Sequence, residues 1–227
     1  LVSGNLASAS GRKPGWDLGD RDIAVINSSN LEIRYVTGLM NIGMALAVQP
    51  NGKITLIGTE AFNEIRFEPN VKSRFLEVRM ALVTPNAAFD RTLVNLNSHL
   101  LPQAVQVPEA ERKLAVGDPR AVIWNADGSR GWVAGMGSNN VLEIDRDGRR
   151  VGARIAVGDG PAGLALDEAR QRLYVWNHFA ASLSVLDIST RKQVQSLAAF
   201  NPLPRAIRDG RKFFYDCLLY TSDAADE

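Results

Sequence analysis

Two stretches of the chain repeat one another in register. Val116-Gly117-Asp118-Pro119, Trp132-Val133 and Val141-Leu142-Glu143-Ile144-Asp145 return as Val157-Gly158-Asp159-Gly160-Pro161, Tyr174-Val175 and Leu183-Ser184-Val185-Leu186-Asp187. The first element recurs at a spacing of 41 residues, and after the insertion at Gly160 the rest recurs at 42. A unit of about forty residues is too small to bury its own apolar faces, so such repeats fold by stacking on their neighbours.

The segments inside each copy read as strands. Gly163-Leu164-Ala165-Leu166-Asp167 is a short apolar run closed by an acidic turn, and Arg172-Leu173-Tyr174-Val175-Trp176-Asn177 is rich in aromatic and β-branched residues. Ser182 to Ile188 alternates polar and apolar residues, as a strand with one buried face does, and Gln193-Val194-Gln195-Ser196-Leu197 supplies a fourth strand. Four short strands in one period predict a blade of a β-propeller.

The preceding copy has the same grammar, with hairpin turns at Asn125-Ala126-Asp127-Gly128 and Asp147-Gly148, where Asx-Gly pairs tolerate positive φ. A fainter third copy runs through Ala45-Leu46-Ala47-Val48, the turn Gln49-Pro50-Asn51-Gly52, Ile54-Thr55-Leu56-Ile57 and Glu64-Ile65-Arg66-Phe67-Glu68. Between it and the next copy the region is expanded: 75–83 reads as a long outer strand, 92–96 as a short inner one, and 101–112 as a Pro-bearing loop on a propeller face. Residues 22–27 and 32–36 read as the last two strands of a further blade, and 1–20 as loop.

The predicted fold is thus all-β: a propeller fragment of three recognisable four-stranded blades, the middle region expanded, plus part of another blade and a short C-terminal helix. The divisions are 1–20 irregular; 21–41 partial blade; 42–84 blade; 85–116 expanded connection; 117–157 blade; 158–200 blade; 201–216 linker helix; and 217–227 a non-native tail. The helix is predicted because Arg205 to Tyr215 can place Ala206, Ile207, Gly210, Phe213 and Phe214 on one side. A ring needs more blades to close, so both ends read as truncated.

Composition narrows the chemistry. With 227 residues, 45% hydrophobic, and a net charge of +1, the sequence carries no bias toward nucleic acid or an anionic membrane, and it has no apolar run long enough to span a bilayer. One cysteine, Cys217, and two histidines, His99 and His178, leave no multi-Cys or multi-His metal site to propose. No catalytic residue and no cofactor-binding residue is expected in the chain. Asp118 and Asp159 recur at equivalent places, which predicts a structural job, such as accepting from loop N–H groups, rather than acid–base work. Trp124, Trp132 and Trp176 fall on the repeating strands and are expected to pack between blades. Arg66, Lys72, Arg74 and Arg79 form a basic stretch that, with His178, is a candidate docking surface for an acidic partner.

The strand Leu173-Tyr174-Val175-Trp176-Asn177-His178 followed by Ser182-Leu183-Ser184-Val185-Leu186-Asp187 resembles the YVTN family of propeller repeats, over roughly residues 20 to 200. Trp176 replaces the family's usual Thr, and Trp132-Val133-Ala134-Gly135 loses its Tyr and Asn. Thr59 to Asn70 and Asn201 to Asp216 further resemble bacterial extracytoplasmic proteins that fuse such a propeller to a c-type cytochrome domain. In those proteins the Arg-x-Gly-Arg-x-Phe-x-Tyr-Asp segment, here Arg208 to Asp216, leads into a Cys-x-x-Cys-His haem attachment site, which this sequence lacks. Cys217 to Glu227 resembles a translated sequencing adapter and is set aside.

The resemblance implies a periplasmic or extracellular scaffold and docking domain. It also implies haem c in the intact protein, whose propionates are the alternative to an acidic partner for the basic stretch of Arg66, Lys72, Arg74 and Arg79, and as partner a haem domain in cis or a separate redox protein, in electron transfer or peroxidase-like oxidation. The alternatives are a non-catalytic propeller that binds a protein or cell-envelope partner, and a propeller enzyme of the lactonase or quinoprotein dehydrogenase kind.

Overall fold

The computed structural model describes residues 2–3, 11, 14–16, 20–62, 76–100 and 108–215, which fall into two compact units, 1–39 and 40–227. In the first unit, β1 (Val2–Ser3) pairs in parallel with β2 (Pro14–Trp16), so the stretch expected to be loop contains two short strands. β3 (Ile23–Ile26) and β4 (Ile33–Val36) form the expected antiparallel hairpin. Asp22 closes it, its carboxylate accepting from Leu39 N at 2.9 Å.

The second unit is three four-stranded antiparallel sheets. The first blade is β5 (Ile42–Val48), β6 (Ile54–Ala61), β7 (Leu76–Val83) and β8 (Arg91–Asn95). A four-residue helix, α1 (Glu109–Arg112), precedes the second blade of β9 (Pro119–Trp124), β10 (Arg130–Gly135), β11 (Asn140–Asp145) and β12 (Ile155–Ala156). The third is β13 (Pro161–Asp167), β14 (Arg172–Asn177), β15 (Ser182–Asp187) and β16 (Lys192–Ala198), followed by α2 (Arg205–Tyr215). These are consecutive blades of a β-propeller: each strand pairs with the next in sequence, and β5, β9 and β13 lie side by side along one edge of the stack.

The expanded region needs a correction. Residues 92–96, expected as an inner strand, are the outer edge strand β8 of the first blade, hydrogen-bonded to β7. The sequence hides this because β6 runs on to Ala61 and 63–75 intervenes before β7, which breaks the 42-residue spacing. The 64–68 segment lies outside the described residues.

The core sits between blades because successive side chains point to opposite faces of each sheet. Ile57, Val78, Met80 and Leu82 of the first blade meet Trp124, Val133, Leu142 and Ile144 of the second. On the second blade's other face, Trp132, Val141 and Ile155 meet Leu173, Val175 and Leu186 of the third. Trp124 is buried as expected, and its indole N–H donates to Thr55 Oγ1 at 3.0 Å across the first interface. Trp176 departs from expectation: it is 39% exposed, because it points to the face of the third blade away from the second.

Helix α2 spans the expected residues, and Ile207 and Phe214, expected on one side of it, are exposed. Its contact with the blade is at its end, where the Tyr215 ring lies 5.0 Å from that of Phe179 and the Arg211 guanidinium sits 5.8 Å from the Phe179 ring. One turn of ring contacts holds the helix where a continuous apolar stripe does not.

Candidate functional site

The polar side chains buried at the connections between blades have structural partners. Each incoming strand leaves N–H and C=O groups that no ladder can pair, and burying them unpaired would cost stability. Asn97 answers this for Val116, donating to its carbonyl at 2.8 Å and accepting from its amide at 2.9 Å. Ser138 Oγ accepts from Gly117 N at 2.9 Å and donates to Asn140 Oδ1 at 3.0 Å, while Asn140 Nδ2 donates to Ala115 O at 2.9 Å. In the next connection Asn139 Oδ1 accepts from Gly160 N at 2.8 Å and Ser184 Oγ from Gly158 N at 3.4 Å. These groups bind the chain to itself.

The repeated aspartates serve the same connections in a way the sequence did not specify. The Asp118 carbonyl accepts from Met136 N at 2.9 Å, and the Asp159 carbonyl accepts from Phe179 N at 3.2 Å and Ala180 N at 3.1 Å. The Asp118 carboxylate grips Arg120 with both oxygens, at 2.8 and 3.2 Å, instead of accepting from the loop amides. Two backbones in equivalent places share the work, and the Asp118 side chain goes elsewhere.

Of the candidate docking residues, Arg66, Lys72 and Arg74 lie outside the described residues. Arg79 is 12% exposed and pairs with Glu77 at 3.0 Å and Glu60 at 3.6 Å, so its charge is spent inside the sheet. His178 is exposed in the β14–β15 turn, with its backbone N donating to Gly160 O at 2.8 Å. Arg79 and His178 lie in different blades, the first and the third.

His99 is more informative than the sequence suggested. Arg150 donates to its Nδ1 at 2.7 Å, and since a guanidinium can only donate, Nδ1 must be the acceptor. The ring proton then lies on Nε2, which donates to Glu111 O at 3.1 Å. Burial and the neighbouring Arg150 charge both hold the imidazole pKa below its ordinary value. Arg150 also donates to Leu114 O, so the neutral ring and one guanidinium fasten α1 and the segment after it to both blades.

Beside this fastening runs a groove of about 790 Å³ at the outer rim between the first and second blades. One wall is β8, the other the turn from Asp147 to Arg150, with Lys53 near one end and Ser98 near the other. The turn seats closely because residue 148 is Gly at φ +81°, and a Cβ there would meet Met80. The sequence carries no local sign of this groove, since its walls come from different blades.

Among the described residues no three His, Cys, Asp or Glu side chains are placed to share a metal ion. Both ring nitrogens of His99 are engaged in the fold, and the His178 ring lies 5.8 Å from that of Phe179. No described helix is long and apolar enough to cross a membrane.

The chain matches no protein-family profile and no curated protein. Solved structures do resemble it. Hydrazine synthase of Kuenenia stuttgartiensis is 14% identical with a TM-score of 0.54, over 69% of this chain and 48% of that one. The periplasmic gluconolactonase PpgL of Pseudomonas aeruginosa is 11% identical with a TM-score of 0.52, over 80% and 50%. A streptogramin B lyase is 12% identical with a TM-score of 0.52, over 79% and 48%. The chain spans about half the length of these structures. At such identities what is shared is the architecture, and with the blade stacking above it makes this chain a β-propeller fragment.

Proposed function

We propose that the chain is the scaffold and docking part of an extracytoplasmic propeller protein linked to a c-type cytochrome domain, with no catalysis in these residues. The observation that carries this reading is α2: the chain leaves its last blade through a helix whose Arg205 to Asp216 sequence resembles the connector into a haem domain. The inter-blade polar groups fit the same reading, because Asn97, Ser138, Asn140 and Ser184 are committed to backbone partners and offer no free nucleophile or base. Haem c would be held entirely by residues of the following domain, and the propeller would supply orientation and a surface.

The test is to read the coding DNA beyond the codon for Asp216 in the source genome. A Cys-x-x-Cys-His motif within the next few tens of codons is expected, and the longer chain, made in a host that attaches haem c, should give a pyridine haemochrome spectrum. A downstream frame without that motif overturns the haem linkage.

A further inference from the structure

We propose that the outer edge of the first blade is a docking site for an extended acidic peptide, which adds to β8 as a fifth strand in the rim groove. This inference is independent of the haem linkage.

The hydrogen-bond register defines the free edge. Thr84 N donates to Asp90 O at 2.8 Å and Leu96 N to Val78 O at 2.9 Å. In an antiparallel pair the bonded positions alternate, so Thr92 with Leu82 and Val94 with Met80 are the bonded pairs. The amides and carbonyls of Arg91, Leu93 and Asn95 therefore point away from β7, and β8 has no second ladder partner among the described residues. A strand edge in this state is a template for another chain. β8 is five residues long, which at about 3.4 Å per residue offers roughly 17 Å of edge.

Charge selects the occupant. The groove is lined by three cations, Lys53, Arg149 and Arg150, against one carboxylate, Asp147. Asp147 neutralises Arg149 at 2.9 Å, whereas among the described residues the Arg150 guanidinium engages only the neutral His99 ring and the Leu114 carbonyl, and Lys53 has no ion pair. The excess is positive at both ends of the groove, Lys53 at one and Arg150 at the other. A strand with glutamates on alternate residues would present carboxylates to these ends while its backbone pairs with β8.

The experiment uses the full chain and a fluorescein-labelled hexapeptide of alternating glutamate and valine, with the lysine–valine peptide beside it, followed by anisotropy. Saturable binding of the acidic peptide is expected, weakened several-fold by Lys53→Glu, and the lysine peptide should not bind. Leu93→Pro removes an outward N–H without breaking a bond to β7, so it should abolish binding while Leu93→Ala retains it. As a check that needs no variant, peptide should slow amide hydrogen exchange at Arg91, Leu93 and Asn95. No binding of the acidic peptide, or undiminished binding to a folded Leu93→Pro chain, overturns the proposal. So does protection of those three amides without peptide, which would assign the edge to residues 101–107 of the chain itself or to a second copy.

Discussion

The second and third blades share a sequence pattern, yet one is covered on both faces and the other on one. In the second blade Val133, Leu142 and Ile144 pack on the first blade, while Trp132, Val141 and Ile155 pack on the third. In the third blade Leu173, Val175 and Leu186 are buried against the second, but Trp176 and Leu197 on the opposite face are exposed. Trp176 stands 42 residues after Ala134, on strands with the same register to their neighbours. In a repeat protein, burial is thus a property of the neighbouring blade and not of the strand that carries the residue.

The most forceful way to break this comparison is at Trp132, which is 2% exposed. Trp132→Ala should cost about 3–5 kcal/mol, the range for removing a buried aromatic ring and leaving a cavity. Urea denaturation followed by circular dichroism measures it, and a loss below about 1 kcal/mol would mean that the second and third blades are not packed as described. The indole N–H of Trp132 has no partner among the described residues, so Trp132→Phe should recover most of the loss by removing an unpaired donor while keeping a ring.

A second difference between the blades is electrostatic. Glu143 is buried between Arg130 of its own blade, at 2.9 Å, and Arg191 of the third, at 2.7 Å, while the equivalent position in the third blade is Val185. Removing a buried carboxylate strands its partners, but both arginines are about two-fifths exposed and can reach water. Glu143→Ala is therefore expected to cost about 2 kcal/mol, below the roughly 3–5 of a fully buried pair. A double-mutant cycle with Arg191→Ala isolates the bond between blades, and zero coupling would show that the ion pair contributes nothing to their cohesion.

What the sequence made legible follows from which physical signals are local. The period, the turns at Asn125–Gly128 and Asp145–Gly148 and the alternation in β15 are written in neighbouring residues, and they located the second and third blades almost strand for strand. The place of β8 is not legible in the period, because the 63–75 segment shifts it in the sequence and position in the period no longer marks position in the sheet. The exposure of Trp176 is not legible in its strand, because strand identity says nothing about what covers it. The serine hydroxyls show the same limit: Gly117 and Gly158 recur, but their partners Ser138 and Ser184 stand at non-equivalent positions, so the job repeats while the residue does not. The rim groove was invisible for the plainest reason, that its two walls lie in different repeats.

His99 extends the comparison to pH, because the first interface holds an imidazole whose proton affinity the fold lowers. The folded state holds His99 neutral with its pKa lowered, so between that value and the unfolded value of about 6.5 the unfolded chain binds more protons. The stabilisation is complete above about pH 6.5 and is lost progressively as pH falls through the window below it. Protonation would put a second donor against the Arg150 guanidinium and break the fastening of the segment around α1. Denaturation at pH 5 and pH 8 should show a smaller difference for His99→Gln than for the parent chain, and an equal difference would place the pH dependence elsewhere.

The smallest expected effect is the one that tests the comparison most directly. Trp176→Ala removes as large a ring as Trp132→Ala, from a strand of the same design, but the ring is 39% exposed and leaves a groove that water fills instead of an empty cavity. Its cost should be at most about 1 kcal/mol, several-fold below that of Trp132→Ala in the same denaturation experiment. Equal costs would show that Trp176 is as well packed as Trp132 and that the face is covered. In a longer chain whose next repeat stacks on Tyr174, Trp176 and Leu183, the same substitution should cost as much as Trp132→Ala does here, because the cavity would then have a second wall.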